Sequence, residues 1–152
     1  MTRTVQIVLI VSVAAVLLIL VVVGILIGAG VAGWKSAVRQ THEAAAVANL
    51  RAIDAAERQY YNRHNRRFGS FDQLVSDHLL DARYAGGEPI VDGYVFQLKL
   101  ISEEGPASKF VVNADPESDQ TGSRHFYIDS KDSVVRSNEQ TPATSSDPAY
   151  VK

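Results

Sequence analysis

The chain has 152 residues, a formal net charge of −2 and no cysteine. The missing cysteine excludes a disulfide framework and any thiolate-held metal, and the near balance of charge argues against nucleic acid as a partner. The length suits one domain with a modest core.

An N-terminal run from Thr4 to Trp34 contains no Lys, Arg, Asp or Glu. A bilayer core of about 30 Å needs roughly 20 apolar helical residues, so this run is long enough to span one with some tilt. Secretory signals have an apolar core of roughly 7–15 residues followed by small residues. Gly30-Val31-Ala32 mimics such a cut site, but the run before it is too long. The expectation is therefore an uncleaved transmembrane helix over residues 1–34. Arg3 on one side and Lys35 and Arg39 on the other leave its orientation tied on charge alone. Gly24/Gly28 and Ala29/Gly33 are small-xxx-small pairs, which let helix backbones approach closely in lipid. They are the candidate helix-packing residues, with Trp34 placed as an interfacial anchor.

Lys35 to Tyr61 has no Gly or Pro and is rich in Ala, which favours continued helix. Val47, Leu50, Ile53, Ala56 and Tyr60 recur at three- and four-residue steps and line one face. Asn49, Arg51, Asp54, Arg58 and Asn62 fall largely on the others, with Asp54 and Arg58 an i,i+4 pair. Arg63, His64, Arg66 and Arg67 form the densest basic cluster, read as a solvated helix end.

Arg66 to Gly69 breaks the helix. Ser70-Phe71-Asp72-Gln73 has the form of a capping box, predicting a short helix through Leu74, Val75, Leu79 and Leu80. Asp81 to Gly93 reads as loop, with Gly86-Gly87 and Pro89 as breakers. The period then becomes two. Tyr94, Phe96, Leu98 and Leu100 share one face of a strand, and Phe110, Val112 and Ala114 share one face of a second after a turn at Glu103–Pro106. Asp115 to Ser123 is expected as polar loop, His125 to Asp129 as a third strand and Val134-Val135-Arg136 as the start of a fourth. From Ser137 the chain is rich in Ser, Thr, Pro and Asp, and a poorly ordered tail is expected over 137–152. The predicted class is α+β, a long N-terminal helix (transmembrane half plus amphipathic half) packed on a small antiparallel sheet, with 35–136 as the head domain.

The sequence carries no Gly-rich phosphate loop, no Gly-x-Ser-x-Gly and no His-Glu-x-x-His. His42, His64, His78 and His125 are scattered. No enzymatic role, catalytic residue or cofactor is expected. Asp115, Glu117 and Asp119 offer carboxylates in a short span, the chemistry calcium takes. They lack the EF-hand pattern, and an Asx-rich surface turn is the preferred reading of the span, with calcium the weaker one.

Glu43–Ile53, Phe71-Asp72-Gln73-Leu74 through Leu79-Leu80-Asp81, Gly93-Tyr94-Val95-Phe96, and Thr121–Asp129 followed by Val134-Val135-Arg136 together resemble a type IV pilin or pseudopilin in their order and spacing. The resemblance covers Glu43 to Arg136 and implies a pilin-like fold, an N-terminus in the cytoplasm and a periplasmic or extracellular head on a single-pass protein of the bacterial inner membrane. The first third departs from it. Aligning back from Glu43 puts the family's cut between Ile10 and Val11, inside apolar sequence, and its early Glu at Ala15. The resulting expectation is a non-enzymatic, membrane-anchored pilin-like subunit that helps assemble or stabilise a membrane complex. Its partners would be lipid and other membrane subunits, or copies of itself, met through the N-terminal helix. The alternatives are a true pilus or pseudopilus filament subunit and a membrane-anchored ligand-binding or enzymatic domain.

Overall fold

The computed structural model describes residues 3–102 and 108–151, with side-chain surroundings for 17–23 and from 33 onward apart from 103–107 and 152. The protein is α+β. Helix α1 spans Arg3–Arg63 and α2 spans Phe71–Ser76. Five strands follow, β1 Ile90–Val91, β2 Tyr94–Ile101, β3 Lys109–Pro116, β4 His125–Asp129 and β5 Arg136–Asn138. They form one antiparallel meander in the order β1-β2-β3-β4-β5. The chain divides into two compact units, Met1–Ala37 and Val38–Lys152. The expected turn at Glu103–Pro106 lies outside the described residues.

In the 38–152 unit the period-three-and-four stripe is the helix's contribution to the core. Val47, Leu50, Ile53, Ala56 and Tyr60 are all buried. Register puts Phe96 opposite Ala114, Leu98 opposite Val112 and Leu100 opposite Phe110, with Val112 and Ala114 in turn opposite Ile128 and Phe126. These residues share one face, and Leu50, Ile53, Phe96, Phe110, Val112, Phe126 and Ile128 belong to a single buried cluster. The alternation in β2, β3 and β4 is what turns that face toward α1.

Several boundaries differ from the sequence reading, each for a local reason. The capping box at Ser70 is present in both directions, but α2 stops at Ser76 and does not continue through Leu80. His78 adopts a left-handed φ of 57°, and the N–H groups of His78 and Leu79 bond back to the carbonyls of Val75 and Leu74. That is a Schellman end built on His where Gly is usual. The expected loop 81–93 holds a 3₁₀ turn, Ala82–Tyr84, and strand β1. Asp92 and Gly93 carry φ of 52° and 79° and join β1 to β2 as a two-residue hairpin, the role for which Asp-Gly is favoured. Strand β3 runs on to Pro116, into the span expected as polar loop. Strand β5 begins at Arg136, later than Val134.

The largest difference is the tail. A poorly ordered tail is expected from Ser137 onward, yet Ala143 is buried and its carbonyl accepts from Asn113 Nδ2 at 2.8 Å. Tyr150 packs edge-to-face on Phe126 with ring centroids 5.3 Å apart, and its N–H bonds the Val135 carbonyl at 2.7 Å. Ala149 bridges Arg136, which gives β5 a neighbour on its outer edge. Asp147 ties the turn by accepting from Asn138 Nδ2 and the Thr144 N–H.

Candidate functional site

The first candidate is the apolar part of α1. Leu17, Leu18, Ile19, Leu20, Val21, Val22 and Val23 are seven consecutive residues, each between 44% and 68% exposed. At 3.6 residues per turn they occupy every side of the helix. Such a surface is apolar all round, with no polar face to turn toward water. Trp34 is 72% exposed. Gly33 is exposed too, and a Cβ built on it meets nothing within 4 Å. The other candidate packing residues, Gly24, Gly28 and Ala29, lie outside the residues whose side-chain surroundings are described. Among the described residues no helix is long and apolar enough to cross a membrane.

The second candidate is a group of polar side chains that α1 carries into the core of the 38–152 unit. Glu57 has no exposed surface. Its Oε2 accepts the Gly69 N–H at 3.0 Å, while its Oε1 is buried without a partner among the described residues. Burial pushes its pKa from 4.5 up to about 7, opposed by the Gly69 N–H and reinforced by the Asp54 carboxylate. Nearby, Tyr60 stacks on His64 at 3.9 Å and His64 Nε2 lies 2.5 Å from Asp77 Oδ2. Together these contacts pin the chain that leaves α1. Glu43, also buried, accepts from the Ser123 N–H and hydroxyl and faces Arg124, which forks onto Glu139.

The sequence reading missed both carboxyls, although spacing holds the signal. Glu43, Leu50 and Glu57 are seven apart and so share one line of the helix, the line on which Leu50 is core. Asn49, off the apolar stripe in the sequence, is buried as well, with its Nδ2 donating to Asp92 Oδ2 at 2.9 Å. The short β1–β2 hairpin brings that carboxylate to the helix. The Asp54–Arg58 pair forms at 3.1 Å, with Ser133 bonded to both partners.

The calcium candidates are not gathered into one site. Asp115 lies in β3, 2.6 Å from His125 Nδ1, whereas Glu117 and Asp119 are exposed in the following turn. Among the described residues no three His, Cys, Asp or Glu side chains are grouped to hold a metal ion. The protein matches no family model, no curated protein and no solved structure.

Proposed function

We propose that this chain is a non-enzymatic, membrane-anchored structural subunit, pilin-like in design, that helps assemble or stabilise a complex of membrane proteins. The observation that carries this reading is the stretch Leu17–Val23, apolar and exposed on every side of α1. Burying apolar surface is worth roughly 25 cal/mol per Å², and lipid or other apolar helices supply that cover. The order of elements after it, a long helix, a short capped helix and an antiparallel meander, supports the pilin resemblance. In this reading the apolar helix sits in a bacterial inner membrane with its N-terminus in the cytoplasm, and the 38–152 unit faces the periplasm or the exterior.

Lipid offers no hydrophobic drive between helices, so close backbone contact supplies their attraction. Gly24 and Gly28 are one turn apart in sequence, and the reading makes them the side that meets another helix. Gly24→Leu and Gly28→Leu should lower co-purification of partner chains several-fold while membrane insertion is unchanged. Unlike chains lost together with the contact identify a mixed complex, and loss of self-crosslinking alone identifies a filament. Unchanged recovery of every partner contradicts the proposed contact.

A further inference from the structure

The turn that joins α1 to α2 is seated by a small cluster of titratable side chains. Glu57 Oε2 accepts the Gly69 N–H at 3.0 Å. The Tyr60 ring lies against the same glycine, so close that a Cβ built on Gly69 would stand 3.0 Å from Cε1 of the ring. His64 stacks on the Tyr60 ring and reaches Asp77, the C-cap residue of α2, at 2.5 Å. Burial first, then the Asp77 and Glu57 carboxylates, raise the pKa of the Tyr60 phenol, so these groups share one neighbourhood.

Both polar contacts of the cluster favour the protonated state. Glu57 has no exposed surface, and its Oε1 has no partner among the described residues. The charges nearest it are of like sign, Asp54 on α1 and, across Tyr60, Asp77 at the end of α2. The turn offers it only the Gly69 N–H. An ionised carboxyl in such a place gains by admitting water. His64 and Asp77 form an ion pair only while the imidazole carries its proton. The turn itself is loaded. Asn65 and Arg66 hold left-handed φ of 51° and 62°, a conformation that costs residues with a Cβ, and Arg63, Arg66 and Arg67 crowd exposed like charges along it.

We propose that the 64–70 turn is a proton-gated latch, seated on α1 through Glu57 and on α2 through His64 while both are protonated, and lifted from α1 when they lose their protons. Lifting lets water reach the Glu57 carboxylate and relaxes the left-handed pair, while the sheet and the stripe from Val47 to Ile53 stay packed. The sign follows from the buried acid. Its pKa of about 7 in the closed turn lies above the ordinary 4.5, so the proton favours closure and the advantage fades as pH rises. Across the whole window the ratio of open to closed turns rises at most about 300-fold, and about tenfold of that falls between pH 6 and pH 8. The latch lies wholly within the 38–152 unit, so it stands or falls independently of the membrane reading.

Amide hydrogen exchange of the full-length chain in detergent micelles reads the latch at the Gly69 N–H, once each rate is corrected for the intrinsic effect of pH on exchange. Protection there should fall about tenfold from pH 6 to pH 8. Low concentrations of urea should barely change it, because a local opening exposes little surface, whereas exchange in β3 should quicken steeply with urea. Glu57→Gln should keep Gly69 protected at pH 8. His64→Gln, at a partly exposed position, should lower protection more at pH 6 than at pH 8. Protection that is the same at both pH values would overturn the proposal. So would an equal fall in Glu57→Gln, an equal loss at both pH values in His64→Gln, or a urea response at Gly69 as steep as that of β3, which would mark unfolding of the whole unit.

Discussion

One helix meets two fates in this protein. Over Leu17–Val23 its apolar side chains are exposed on all sides. Over Val47–Tyr60 they are confined to one stripe and buried, Val47, Leu50 and Ile53 with the chain's own sheet and Ala56 and Tyr60 with Leu74 of α2. Composition explains the contrast. The second stretch interleaves Arg51, Asp54 and Arg58 with its apolar residues and so has one face to hide and others for water. The first has no polar face. A helix of the second kind completes its fold from within, and one of the first kind needs cover from outside the chain.

The comparison breaks first at Leu50. Truncating a fully buried Leu costs about 2–5 kcal/mol, a large share of what a small domain possesses. In the full-length chain Leu50→Ala should markedly lower the thermal midpoint of the 38–152 unit, followed by its aromatic signal, while Leu20→Ala leaves that midpoint in place. Equal melting of Leu50→Ala and parent would mean that the stripe is not what the sheet covers.

Glu57 sharpens the comparison next, because it is a charge-bearing residue on the buried line. Its folded pKa of about 7 lies above the ordinary 4.5, so the folded state holds the proton more tightly than the unfolded chain. The protonated carboxyl therefore favours folding at acid pH, and that advantage is lost as pH rises from about 4.5 through about 7. Over the whole window the change is on the order of 3 kcal/mol. Glu57→Gln should flatten this part of the stability profile between about pH 5 and pH 8. An unchanged slope in the variant would assign the pH dependence to other groups.

The smallest effect belongs to the cap of α2. Ser70 Oγ accepts the Gln73 N–H at a long 3.4 Å, and removing such a cap costs about 1 kcal/mol or less. Ser70→Ala should shift the midpoint of the 38–152 unit slightly, well short of Leu50→Ala. A loss as large as that of Leu50→Ala would show that α2 carries more of the core than Phe71 and Leu74.

What was legible in the sequence follows from periodicity. The stripe from Val47 to Tyr60 and the inward faces of β2, β3 and β4 repeat at the helical and strand periods, and the structure buries them, Leu98 and Leu100 only in part. Features without a period were missed. The tail is held by single anchors, Asn113 to Ala143 and Tyr150 on Phe126, which leave no repeating pattern in a Ser- and Pro-rich segment. β1 is two residues long and is announced only by Asp92-Gly93. Glu43 and Glu57 sit on the core line because polar partners supplied by Ser123, Arg124 and Gly69 come from far along the chain, and spacing alone does not name those partners.

The central claim, that the exposed apolar part of α1 is covered by a bilayer, is tested most directly by alkaline extraction of membranes from bacteria expressing the full-length chain. The account predicts that the protein stays in the membrane pellet with integral proteins. Release of the intact chain into the supernatant with peripheral proteins would contradict it.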